Sequence, residues 1–180
     1  MLYTYKELLE KYNTQYNIAK MISRGELYQV GIKIYSEKSQ TSKLAILAKR
    51  YPDAIITMNS AFYYHSLTDD IPDKCYMVSK RNGTKIKDPY VIQTFESADT
   101  FSVGKETLEI RDAVVNIYSK ERMLIELVRN KNKLPFDYYK EIISGYRKIV
   151  DKLDTSSIEE YAEMMYHGAH IMETIQMEVF

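Results

Sequence analysis

His65 stands four and five residues before Asp69 and Asp70, and an imidazole beside two carboxylates can hold a metal ion or move a proton. His167 and His170 are three apart, another spacing that occurs in metal sites. Each has a plainer explanation. His65 falls at the end of a helical stretch, where an imidazole suits the dipole and can bond a terminal carbonyl. Asp69 and Asp70 fall where a turn wants short acidic side chains. No third ligand joins the later histidines. Gly83-Thr84-Lys85 is not a phosphate loop, because the first glycine of that pattern is missing. The single cysteine, Cys75, lies in an apolar run without an activating base, so it reads as a structural thiol. The sequence therefore offers no catalytic residue, no metal site and no cofactor.

A second set of residues suits a different chemistry. Gln15, Tyr16, Asn17 and Lys20 follow one another at the start of an amphipathic stretch. Gln and Asn can read adenine edges, while Lys20, Arg24, Lys33 and Lys6 can hold phosphates. The elements needed to position them are legible. Thr4 and Glu7 form a capping box for a helix to about Lys11, with Tyr5, Leu8 and Leu9 inward. Tyr12-Asn13 breaks it. Thr14 caps a second helix from Gln15 to about Arg24, with Ile18, Met21 and Ile22 inward, and Gly25 ends it. Leu27–Val30 and Ile32–Tyr35 read as strands around a tight turn at Gly31. Helix, turn, helix and hairpin predict a winged helix-turn-helix over residues 1–38, whose second helix enters the major groove. No helix is visible before Thr4, so the module looks abbreviated.

The charge distribution agrees. The net charge is zero, but residues 1–50 hold nine Lys+Arg against four Asp+Glu, and the remainder sixteen against twenty-one. A basic end on an acidic body suggests nucleic acid at one end and another task elsewhere. No signal peptide or membrane span is visible, and the lone cysteine suits a reducing compartment, so the expectation is cytoplasmic. Seventeen Tyr against no Trp suit half-buried positions and carry no functional claim.

Residues 39–180 predict a mixed domain. Ser42 caps a helix over 43–50 with Leu44, Leu47 and Ala48 buried, and Pro52 ends it. Ala54–Ile56 is a brief apolar run. Asn59 or Ser60 caps a short helix to His65, Pro72 enforces extended chain, and residues 75–79 form a buried strand. Strands over 91–95, 107–110 and 114–118 complete a small sheet. The basic turn at Lys80, Arg81, Lys85 and Lys87 reads as a solvated loop. Ser119 caps a helix in which Arg122 and Glu126 pair weakly across one turn. Helical spacing then covers 136–150, a stretch starting at 154–157, and a last helix after Gly168. The methionines from Met164 to Met177 read as core filler. The fold class is α+β.

Arg50-Tyr51-Pro52 followed by Ser60-Ala61-x-Tyr63-Tyr64-His65-x-Leu67-Thr68-Asp69-x-Ile71-Pro72-x-Lys74-x-Tyr76 resembles the AbiEi-type antitoxins of bacterial type IV toxin–antitoxin (abortive infection) systems. Thr4-x-Lys6-Glu7-Leu8, Gly25-x-Leu27-Tyr28, Tyr118-Ser119-x-Glu121-Arg122-x-Leu124 and Arg129–Leu134 extend the resemblance over most of the chain. The resemblance implies a first module that binds operator DNA and represses its own operon. It also implies a larger domain that counteracts a nucleotidyltransferase-like toxin. Its implied partners are operator DNA and a cognate toxin, with no membrane and no set oligomeric state. A stand-alone regulator without a toxin is the alternative, and a metal-dependent nucleic-acid enzyme the more distant one.

Overall fold

A computed structural model describes all residues, 1–180, as an α+β protein. Contacts within the chain divide it into two units, residues 1–53 with 108–115 and residues 54–107 with 116–180. The first unit thus includes residues 39–53, beyond the boundary expected at 38. No helix is long and apolar enough to cross a membrane.

The first unit opens with a strand, β1 (Leu2–Thr4), which sequence patterning misses because three residues carry no period. Thr4 then caps α1 (Tyr5–Tyr12): its hydroxyl accepts from Glu7 N, and Glu7 reaches back to Thr4 N at 2.6 Å. Asn13, left-handed at φ 63°, stops α1 and sends Thr14 to cap α2 (Gln15–Ser23). β2 (Tyr28–Gly31) and β3 (Ile34–Ser36) form a hairpin, and β1 returns antiparallel to β3, giving the order β1-β3-β2. The hairpin turn is Ile32-Lys33, not Gly31. A bulge between Gln29 and Gly31 carries Gly31 on as strand, and Lys33 takes the left-handed conformation at φ 59°. Tyr3, Leu8, Ile18 and Leu27 make the core, with Tyr5, Leu9, Tyr12, Met21 and Tyr35 at its margin. Ile22 does not join it and is 40% exposed. Ser42 caps α3 (Lys43–Arg50), which packs on β1 and β3. That orientation buries Ala45 and Leu47 and leaves Leu44 and Ala48 only half-buried.

A five-stranded sheet has the order β6-β5-β4-β8-β7, from β4 (Ile55–Ile56), β5 (Cys75–Lys80), β6 (Val91–Glu96), β7 (Lys105–Ile110) and β8 (Ala113–Tyr118). β5 runs antiparallel to β4 and parallel to β6. Between β4 and β5, α4 (Met58–Tyr64) starts at Thr57 without a side-chain cap. Ser60, one of the expected caps, instead accepts from Tyr76 N at 2.9 Å and ties α4 to β5. α5 (Lys120–Arg129), capped by Ser119, carries six consecutive buried residues, Arg122 to Leu127. α6 (Phe136–Lys148), α7 (Thr155–Glu163) and α8 (Gly168–Glu178) follow, and α5, α7 and α8 pack together. α6 ends two residues short of the expected Val150, which instead opens a 3-10 turn. The methionines divide. Met165 is core, whereas Met164 and Met177 are exposed, so filling the interior describes only some of them.

Candidate nucleic-acid interface

α2 is held to its unit chiefly through Ile18, its one fully buried residue. Met21 is half-buried at the core margin, and the rest of the circumference is open, so Gln15, Tyr16, Asn17 and Lys20 are all exposed. Tyr16 is 75% exposed, far more than a tyrosine needs for packing. The helix contains no Asp or Glu, and its N-terminal amides carry the positive end of the helix dipole. Arg24, at the helix's C-terminal cap, is exposed as well. Lys33 is exposed at the hairpin turn, next to Ile32 at 66%. Lys6 lies on α1, also exposed, with Glu10 at 4.0 Å as a loose partner. All seven expected contact residues therefore belong to the first unit and reach solvent.

Asn17 differs from its neighbours in one respect. Its Nδ2 donates to Tyr12 O at 2.9 Å, while Thr14 Oγ1 accepts from Asn17 N at 3.2 Å. The side chain thus locks the turn between α1 and α2. A bidentate contact to adenine would require it to release Tyr12; Gln15 carries no such tie. The exposed residues comprise cations, amide groups and an aromatic ring, the side-chain types that can contact phosphates and stack on bases.

The residues considered for metal or proton chemistry are not gathered. His65 is buried, and its Nε2 lies 2.7 Å from Tyr118 O, a carbonyl of β8 and not of its own helix. Burial lowers its pKa, against the raising effect of that bond and of Glu106. Asp69 and Asp70 are exposed, as are His167 and His170. No three His, Cys, Asp or Glu side chains are placed to hold a metal ion together. Burial pushes the Cys75 thiol up to about 11, which disfavours a reactive thiolate.

Sequence reasoning missed a polar cluster in the second unit. Arg122, expected only to pair weakly with Glu126, has 0% exposure. Its Nη2 meets Glu126 Oε1 at 2.8 Å and Glu96 Oε2 at 3.3 Å. Its Nη1 donates to Thr100 O at 3.0 Å, and its guanidinium lies 4.7 Å from the centre of the Tyr118 ring. Arg129 closes the network onto Glu126 at 2.6 Å and Glu96 at 3.0 Å. Burial pushes the Glu96 carboxyl up, but hydrogen bonds from Thr100 and Arg129 outweigh it and hold it below the usual range. The one available signal was the helical face itself: Arg122 sits among Met123, Leu124 and Ile125, all buried.

No protein-family model matches the chain, and no curated protein matches it at a significant level.

Proposed function

We propose that the protein is a DNA-binding regulator of the AbiEi antitoxin kind, acting in the cytoplasm. Its first unit serves as a winged helix-turn-helix that binds operator DNA upstream of its own gene and represses it. Its second unit counteracts a nucleotidyltransferase-like toxin. The observation that carries the reading is the exposed, acid-free α2, set beside a hairpin in a sheet of order β1-β3-β2. A helix pair followed by a hairpin, with the strand before the pair returning to that hairpin, is the layout by which such modules present one helix to a groove. Lys20, Arg24, Lys33 and Lys6 supply phosphate contacts, and Gln15, Tyr16 and Asn17 supply base or sugar contacts.

The test is binding of the full protein to a labelled duplex from upstream of its gene, over a salt series, beside a scrambled duplex. Affinity should fall with salt at a log–log slope of roughly −0.9 per phosphate contact. Lys20→Ala should weaken binding to both duplexes alike and reduce the slope by about one. Gln15→Ala should reduce the preference for the upstream duplex. Equal binding to both duplexes would exclude an operator-specific role. The antitoxin half is tested by co-expression with the neighbouring reading frame. Rescued growth supports it, and a neighbour harmless on its own removes it.

A further inference from the structure

We infer that the outer edge of β6 is a docking site for an extended, carboxylate-bearing segment of a partner protein, which adds to the sheet as a sixth strand. β6 is an edge strand, paired only with β5. The register Cys75↔Val91 to Lys80↔Glu96, with Cys75 N donating to Tyr90 O and Arg81 N to Glu96 O, fixes which groups face inward. Main-chain groups of residues 92, 94 and 96 serve the β5 ladder, so the N–H and C=O of Gln93 and Phe95 point outward.

Natural edges are usually blunted by lysine, proline or inward-pointing charge. The sequence of β6, Val-Ile-Gln-Thr-Phe-Glu, has neither Lys nor Pro. Its one charge, Glu96, is committed to Arg122 and Arg129. Phe95 is 46% exposed. The connection from β5 is held over one face of the sheet, where the Gln93 side chain accepts from Ile86 N at 2.8 Å and donates to Thr84 O at 3.1 Å.

The opposite face supplies the chemistry of the occupant. There Thr94 and Glu96 border a pocket of about 230 Å³, with Met58, Arg129, Asn130 and Lys133 on its other sides. Arg122 and Arg129 offset Glu96 and Glu126. Lys133 is left over, exposed, with Asn130 Oδ1 at 3.4 Å as its partner and no carboxylate of the chain within ion-pair distance. A strand laid along β6 would lie roughly 4.8 Å outside it and aim alternate side chains toward this pocket. An Asp or Glu at that position meets Lys133 and the outer side of Arg129. A second copy of the chain would bring another uncompensated Lys133 to the same edge, so like charge opposes self-pairing.

The test uses the full protein and fluorescein-labelled heptapeptides of alternating Thr and Val, with a central Asp, Lys or Asn. The Asp peptide should bind at least tenfold more tightly than the Lys peptide by fluorescence polarisation. Phe95→Pro removes an outward N–H without breaking a bond to β5, and should abolish binding while the circular dichroism spectrum is retained. Lys133→Glu should reverse the preference to the Lys peptide. N-methylation of one alternate set of the Asp peptide's amides should also abolish binding while N-methylation of the other set is tolerated, a readout independent of how any variant folds. Absence of binding by all three peptides, equal affinity for the Asp and Lys peptides, or tolerance of N-methylation at both alternate sets would overturn the proposal. So would concentration-dependent dimerisation in light scattering that Phe95→Pro removes, because the edge would then belong to a second copy.

Discussion

Lys6–Glu10 in the first unit and Arg122–Glu126 in the second are both oppositely charged pairs one helical turn apart. The first spans 4.0 Å with side chains 88% and 66% exposed. The second spans 2.8 Å, with the arginine at 0% and the glutamate at 10%. Spacing alone makes them equivalent; surroundings make one a solvated surface pair and the other part of an interior network. The difference follows the two tasks proposed for the units. A surface that grips phosphates needs its cations loose and hydrated. A helix that buries six consecutive residues must satisfy any charge among them.

The sharpest way to break the contrast is Arg122→Met. It leaves Arg129 as the one cation facing both Glu96 and Glu126 in a poorly solvated site and should cost about 3–5 kcal/mol. Urea denaturation would show it, and a loss below about 1 kcal/mol would mean that the network contributes little. Arg122→Met combined with Glu126→Met should recover part of the loss, because Arg129 and Glu96 then balance one to one. Gly104→Ala probes the same network from outside. Gly104 has φ +67°, and an added Cβ would stand 2.4 Å from Arg122 Cβ. About 1–3 kcal/mol of backbone strain is expected, plus the cost of moving Arg122. A thermal midpoint matching that of the parent protein would contradict this.

Acid should separate the units by pH window. His65 in the second unit is kept neutral by burial, so its folded pKa lies below its ordinary 6.5. The unfolded chain takes up that proton first, and the stability His65 contributes is full above 6.5 and lost as pH falls below it. In the first unit, Lys49 and the Thr4 amide hold the Glu7 carboxyl down at about 2, from an ordinary 4.5. That contribution is full above 4.5 and is lost between 4.5 and about 2. In denaturation titrations, the stability gap between the parent protein and His65→Gln should change as pH falls below 6.5, whereas the gap to Glu7→Gln should hold constant above 4.5 and close only below it. Thr4→Ala should cost about 1 kcal/mol through the lost cap. Lys6→Ala is the smallest change, within about 0.5 kcal/mol, and a larger effect would refute its description as a loose surface pair.

What was legible in the sequence was local. Thr4 and Glu7 are three residues apart, and a capping box needs nothing else; Thr14, Ser42 and Ser119 cap their helices for the same reason. The α+β class followed from period. What failed depended on distant partners. Ser60 looks like a cap until Tyr76 N claims its hydroxyl. Gly31 looks like the turn until the β2–β3 bulge keeps it in the strand and moves the turn to Ile32-Lys33. Arg122 looks like surface because nothing nearby in sequence announces Glu96. For the candidate interface, the residue types and their exposure were legible, whereas the tie from Asn17 to Tyr12 was not.

The two-residue strand β4 occupies the middle of its sheet. Ile55 pairs with Val78, and Ile56 with Met77 and Ile117. Each partner is far away in sequence, and so short a strand holds little alone. Assembly of that centre must wait until both flanking strands have been brought in, an ordering that favours slow folding by long-range closure. Once β4 is zipped, its peptide groups are sealed between neighbours under fully buried isoleucines. In deuterated water, the bonded amides of residues 55–57 and 77–78 should therefore exchange among the last in the chain, through openings close to global unfolding.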